Sequence, residues 1–258
     1  MNIIIYNLLN IKKILMRVIP RIEIKNNFVI KGINFEGLRK IGDPNTIGKK
    51  YYSDGADELL FMDVVASLYG RNNIFDIIKK ITKNIFIPIT VGGGIRSVED
   101  IQQALNSGAD KVAINSAAVK DPDFIKKAVS FFGSSTIVVS IETRKNKKNI
   151  WEVYTHNGRE ETGVDLKYWL KKIQQLNCGE ILVTSIDHEG TKKGFDLDLL
   201  NFLKKEEIQT PLIFCGGCGS LEHIKKIKKN LKEEAIAISS ILHYNLSTIK
   251  KIKKTINV

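Results

Sequence analysis

The sequence predicts an α/β chain folded as a single barrel of eight strand-and-helix units, a (βα)8 TIM barrel with a half-barrel internal repeat. Three observations carry that expectation. Eight short β-branched runs alternate with stretches whose apolar residues recur near the helical period. The second half of the chain echoes the first. The 258 residues, 43% hydrophobic and 26% charged, suffice for one large core and argue against disorder.

Taken in order, the strand runs are Arg17–Ile24, Glu58–Asp63, Ile87–Val91, Lys111–Asn115, Thr136–Glu142, Glu180–Ser185, Leu212–Cys215 and Ala235–Ser239. Each is short and rich in Ile, Val and Leu, as a strand covered on both faces requires. The helical stretches between and after them are Pro44–Asp54, Asn73–Asn84, Val98–Ser107, Pro122–Phe132, Leu166–Asn177, Leu197–Lys205, Leu221–Lys229 and Leu246–Lys254. Their lysines fall on one side of an apolar stripe, which is the pattern of a helix packed on a sheet with one face in water.

The repeat is measurable. "ITVGGGIRSVEDI" at residues 89 to 101 returns as "LIFCGGCGSLEHI" at 212 to 224, and Gly92 and Gly216 are 124 residues apart. Asn115 and Ser239 are also 124 apart, Glu58 and Glu180 are 122 apart, and Glu23 and Glu142 are 119 apart. Units three and four thus correspond to units seven and eight.

In such a barrel the loop after each strand opens on the catalytic face, and glycine there lets backbone N–H groups approach an anion. "GGGIRS" with "INSAAV" makes one phosphate cradle, and "CGGCGS" with "ISSIL" makes a second. Two cradles on opposite sides of one mouth predict an elongated small molecule with a phosphate at each end. Glu23 and Glu142 close strands one and five, opposite each other at the upper rim, where two carboxylates in one desolvated mouth divide into an acid and a base. The period of two puts Arg17, Ile19, Arg21 and Glu23 on one face, with Arg17 at the floor. Glu58, Lys111 and Glu180 begin strands two, four and six, so a ring of two cations and two anions is expected there, either a salt-bridged plug or a gate.

The formal charge of +12 comes mainly from lysine pairs at helical spacing, read as solvated helix faces. With no arginine-rich arm and no aromatics among the lysines, no nucleic-acid partner is expected. Three cysteines, an odd number, fit a reducing compartment, the cytoplasm. Cys215 and Cys218 form a lone C-x-x-C without a second pair, and His156, His188, His223 and His243 are scattered, so neither a metal nor a cofactor is expected. Residues 1–16 are apolar but interrupted by Asn2, Asn7, Asn10, Lys12 and Lys13, and are read as an extension ahead of a barrel domain at 17–258, with Met16 as an alternative start. No segment is read as spanning a membrane.

The motifs "VIKGINFEGLRKIGDP", "GADELLFMDVVAS", "ITVGGGIRSVEDI", "GADKVAINSAAVKDP", "GEILVTSIDHEGTKKGFD" and "CGGCG" together resemble the cyclase subunit of imidazole glycerol phosphate synthase, the HisF family, over residues from about Met16 to Lys254. The resemblance implies a lyase of histidine biosynthesis that reacts ammonia from a partner glutaminase with a bis-phosphorylated ribulosyl-formimino aminoimidazole carboxamide ribonucleotide. Its products are imidazole glycerol phosphate and an aminoimidazole carboxamide ribonucleotide. It also implies a HisH-like glutaminase docked on the N-terminal face of the barrel. Arg17, Glu58, Lys111 and Glu180 fall on the positions of an ammonia gate. Gly94, Asn115, Ser116, Gly217, Ser239 and Ser240 fall on phosphate-binding positions, and Lys31 on a substrate-clamping lysine. The catalytic positions depart from the pattern, with Glu23 and Glu142 where the family has aspartates and Arg21 where it has a cysteine. Those departures imply an alternative: a HisF-like ammonia-channelling subunit that supports amidine formation on a bacterial surface sugar.

Overall fold

The structure, a computed structural model, describes residues 16–66, 74–231 and 234–257. Residues 1–15 of the extension expected at residues 1–16 lie outside the described residues, as does the predicted helix start at Asn73.

Twelve strands are described: β1 Arg17–Lys25, β2 Phe28–Ile33, β3 Glu36–Gly42, β4 Leu59–Asp63, β5 Ile89–Gly92, β6 Lys111–Ile114, β7 Ile137–Lys145, β8 Trp151–Thr155, β9 Glu160–Asp165, β10 Glu180–Ser185, β11 Leu212–Cys215 and β12 Ala235–Ile238. Eight of them close a parallel barrel in the order β1, β4, β5, β6, β7, β10, β11, β12 and back to β1. The α-helices among the described residues are α1 Pro44–Ser53, α2 Ile74–Ile81, α3 Val98–Asn106, α4 Ser116–Lys120, α5 Asp123–Phe132, α6 Leu166–Gln175, α7 Leu197–Lys205, α8 Leu221–Asn230, α9 Ser240–His243 and α10 Ile249–Asn257.

The period of two explains how the wall is filled. Outward residues such as Val18, Ile22, Phe61, Val91, Val139, Val183, Phe214 and Ile236 pack under the helices. Inward residues Ile19, Leu60, Met62, Ala113, Val138, Leu182, Ile213, Cys215, Ala235 and Ala237 form a separate apolar cluster in the lumen. Apart from Arg17 and Lys111 at the floor and the strand ends at Lys25, Arg144 and Lys145, the barrel strands are buried on both faces, and this is why the runs read as continuous apolar sequence.

The structure differs from the sequence expectation at strands one and five. Each runs past its glutamate, to Lys25 and Lys145, and folds back as an antiparallel hairpin, β1–β2–β3 and β7–β8–β9. The cause is turn chemistry. Asn26 (φ 55°) turns β1 into β2, and Asn34 and Phe35 (φ 51° and 65°) turn β2 into β3. His156, Asn157 and Gly158 (φ 53°, 60° and 74°) turn β8 into β9. Asparagine tolerates the left-handed region that such two-residue turns need. The hairpins occupy corresponding units of the two half-barrels, so the repeat includes them. Glu58 lies just before β4, and Asn115 and Ser239 lie just after β6 and β12, as N-caps of α4 and α9.

Among the described residues, no helix is long and apolar enough to cross a membrane. Phe61 is fully buried between the barrel wall and α1, with its ring in reach of Gly48. Phe61→Ala is expected to destabilise the fold by about 3–5 kcal/mol, measured as a shift in the urea unfolding midpoint at unchanged slope.

Candidate active site

The glycine turns place backbone where a side chain would collide. Gly93 has φ 94°, and a Cβ there would lie 2.1 Å from the Asp63 carbonyl oxygen; Gly217 has φ 95°, and its Cβ would lie 1.9 Å from that of Gly194. These two positions correspond under the 124-residue repeat, so the conformationally required partner of Gly217 is Gly93, next to the expected Gly94. Gly94 also sits at positive φ, 73°. After each turn a serine caps a helix: Ser97 makes a capping box with Asp100 on α3, and Ser220 accepts from the His223 N–H on α8.

The two cradles differ in openness. Gly94, Asn115 and Ser116 line a cavity of about 940 Å³ together with Asp63, Glu142 and His156. Gly217, Ser239 and Ser240 surround a space of only about 10 Å³, closed by Glu189 and Gly190. The β2–β3 hairpin covers this second cradle. The Asn34 N–H donates to the Glu189 carbonyl at 2.8 Å, and Gly190 lies so close to Gly32 that a Cβ would meet its carbonyl oxygen at 2.1 Å.

Glu23 and Glu142 face each other across the barrel, on strands four places apart in the ring, and are 2% and 3% exposed. Their surroundings are unlike. Glu23 is ion-paired to Arg21 Nε at 3.2 Å and to Lys31 Nζ at 2.7 Å. Glu142 accepts from Asn115 Nδ2 at 3.1 Å and from the Gly158 N–H at 2.8 Å, both neutral donors. Burial pushes the Glu142 carboxyl up to about 7, against the opposing pull of Arg21.

Lys31 is buried between Glu23 and Glu189. Burial works against its charge, but the two carboxylates outweigh burial and raise it above its ordinary value. Burial would likewise raise Glu189, but Lys31 and Arg21 hold it below the usual carboxylate range. Arg21 reaches from β1 to Thr184 Oγ1 on β10 at 2.9 Å, three strands around the ring, and its guanidinium lies 5.3 Å from the Phe35 ring. It therefore crosses the lumen above the apolar cluster.

At the floor, Arg17, Glu58, Lys111 and Glu180 come together. Arg17 donates to both Glu58 and Glu180, and Lys111 Nζ closes the ring to the same two carboxylates at 3.0 and 2.7 Å. Each ion has two partners of opposite sign, which is what a partly buried charge needs.

The family model of Histidine biosynthesis protein matches residues 17–248. The imidazole glycerol phosphate synthase subunit HisF of Legionella pneumophila is 52% identical over 207 residues, covering 80% of this chain and 97% of that relative. The HisF subunit of Methanococcus vannielii is 43% identical over 260 residues, 93% of this chain and 95% of its own. That of Bacillus cereus strain Q1 is 44% identical over 238 residues, 92% and 94% of the two chains. The chain belongs to the HisF family.

In this HisF-family barrel several residues join the mouth that the motif reading left aside. Glu189 is the second anion on Lys31, and its signal was its place one loop beyond β10 in "SIDHEG". Gly158 and His156 enter from the β8–β9 turn, where His156 N–H donates to Ser116 Oγ at 3.1 Å. Asp63, by contrast, turns to its own loop and accepts from Val65 and Ala66 N–H. Of the two facing glutamates, Arg21 is within ion-pair distance of Glu23 alone. Cys178, Cys215 and Cys218 are free and buried, and burial pushes the Cys215 thiol up to about 12. Among the described residues no group of histidines, cysteines and carboxylates is placed to hold a metal ion.

Glu142 also links stability to pH. Its folded value lies above the ordinary 4.5, so its favourable contribution is complete below about 4.5 and is lost as pH rises through about 7. Glu142→Gln removes that dependence. Relative to this variant, the natural chain is expected to lose about 3 kcal/mol between pH 4.5 and pH 8, read from urea unfolding at each pH.

Proposed function

We propose that this chain is the cyclase subunit of an imidazole glycerol phosphate synthase, with Glu23 and Glu142 as the acid–base pair. The observation that carries the reading is Glu142: a buried carboxyl pushed up to about 7, facing a cavity of about 940 Å³ beside Gly94, Asn115 and Ser116. A general acid is most effective when its value lies near the working pH. The relatives' names point to imidazole glycerol phosphate synthesis, and the mouth has groups suited to it. Ammonia is a nucleophile; its addition to a carbonyl carbon needs one proton delivered to oxygen and one removed from nitrogen. Glu142 delivers the first, and Glu23, ion-paired to Arg21 and Lys31, takes the second.

The substrate is bis-phosphorylated. One phosphate rests on the turn of Gly94 with Asn115 and Ser116, and the other on Gly217 with Ser239 and Ser240 once the β2–β3 hairpin lifts. Lys31 then exchanges its carboxylate partners for the substrate. Ammonia enters through the ring of Arg17, Glu58, Lys111 and Glu180, released by a glutaminase subunit docked on the N-terminal face, and rises past Ile19, Leu60 and Leu182.

A second reading rests on the lumen-crossing Arg21 and the occupied mouth, where Lys31, Glu23 and Glu189 neutralise one another above a cradle of about 10 Å³. In it the chain passes ammonia to a separate enzyme that forms an amidine on a surface sugar.

The deciding experiment supplies purified chain with an ammonium salt and the ribulosyl-formimino substrate and follows imidazole glycerol phosphate. Turnover is expected, falling about 10²- to 10⁴-fold in Glu142→Gln and declining in the natural chain as pH rises past about 7. No product above background overturns the cyclase reading. The conduit reading then requires that the partner glutaminase accelerate on complex formation.

A further inference from the structure

The two mouth carboxyls are chemically identical side chains on corresponding strands of the repeat, yet their countercharges are arranged on one side only. Glu23 has Arg21 Nε at 3.2 Å and Lys31 Nζ at 2.7 Å. Glu142 has the Asn115 amide and the Gly158 N–H, and among the described residues no lysine or arginine pairs with it.

The two cations on Glu23 are mounted differently. Lys31 belongs to the β2–β3 hairpin and is shared with Glu189, so it is available to a ligand when the hairpin lifts. Arg21 belongs to the barrel wall. Its guanidinium is fixed to Thr184 Oγ1 at 2.9 Å, lies 3.7 Å from Cys215 Sγ, and is fully buried. Once Lys31 turns to a substrate phosphate, Arg21 is the cation left beside both Glu23 and Glu189.

The other titratable groups around Glu23 do not replace it. Cys215 on β11 has its thiol pushed up to about 12, and His243 on α9 is pushed down to about 3 by burial and by Lys31, so both are uncharged at neutral pH. Asp63, at the end of β4 beside Ile24, is bonded to its own loop. Glu189 and Glu142 are acidic.

We propose that Arg21 is a positioning residue that divides the two mouth carboxyls into a proton acceptor, Glu23, and a proton donor, Glu142, and preserves that division after Lys31 has moved to the substrate. The proposal rests on the acid–base reading above for its catalytic meaning, but the division of charge is a property of the protein alone and is measured without substrate.

The test is carboxyl ¹³C NMR at pH 6 on the full chain labelled at the glutamate side-chain carbon, with Glu23 and Glu142 assigned from Glu23→Gln and Glu142→Gln. The natural chain should show Glu23 as carboxylate and Glu142 mainly as acid. Because Lys31 sits on Glu23 in the absence of substrate, the comparison is made in a Lys31→Met background: there Glu23 should remain carboxylate while Arg21 is in place, and Arg21→Met should raise its acid fraction about tenfold or more, the change that about one pH unit of proton affinity produces. Arg21→Lys in that background should restore the carboxylate signal. Should Arg21→Met fail to fold, Arg21→Gln, polar but uncharged, is read in its place with the same expectation. Unchanged Glu23 and Glu142 signals in a folded, uncharged Arg21 variant overturn the proposal. A blank cyclase assay beside the expected NMR shifts would instead remove the cyclase reading and leave the division of charge standing.

Discussion

The mouth of this barrel depends on a desolvated charge cluster that must balance itself. Arg21 and Lys31 contribute two cations, and Glu23 and Glu189 two anions, all at most 2% exposed. Isolated in an apolar interior, any one of them would cost several kcal/mol. Together they are tolerated because each cation has a carboxylate within ion-pair distance. The cluster ties three parts of the chain to one point: the wall strand β1, the hairpin that carries Lys31, and the loop after β10 that carries Glu189. The position of the hairpin over the second cradle is a consequence of that charge balance, reinforced by the Asn34 to Glu189 backbone bond.

Glu142 stands outside the balance. It is buried with no cation in ion-pair distance, and burial outweighs the pull of Arg21, so its carboxyl is raised. The half-barrel repeat thus yields two glutamates at corresponding places and then treats them differently, because Arg21 and Lys31 are on the first half and have no counterparts on the second. At the position corresponding to Arg21 under the same spacing, β7 carries Ser140, buried and without a hydrogen-bond partner. The asymmetry in openness has the same origin. One hairpin is drawn down by ion pairs onto the second cradle, while the β8–β9 turn meets the first through neutral contacts of His156 and Gly158 and leaves the cavity open.

Floor and mouth are separated by the apolar lumen cluster and by Arg21. The floor ring alternates sign around four residues from β1, the approach to β4, β6 and β10, which is the arrangement that lets two cations and two anions share every contact. A charged floor, a middle lined by apolar side chains and a charged mouth follow one another along the barrel axis.

The barrel was legible in the sequence because its causes are local and periodic. Eight apolar runs buried on both faces, helices with one lysine-rich side, and glycines at positions that no side chain can occupy leave their pattern in the order of residues itself. The pairing of Arg17 with Glu58 and Glu180 was legible too, since alternation along a strand and a common level in the barrel bring them to one layer. The two hairpins were written only in short asparagine turns, Asn26, Asn34 and Asn157, and were hidden by strand-and-helix alternation. Tertiary structure alone decided the partners of the mouth. Lys31 meets Glu189 across 158 residues, and Arg21 meets Thr184 across 163. No periodicity specifies which of several buried charges will pair, because that choice follows from desolvation and three-dimensional reach, both of which exist only once the barrel has closed.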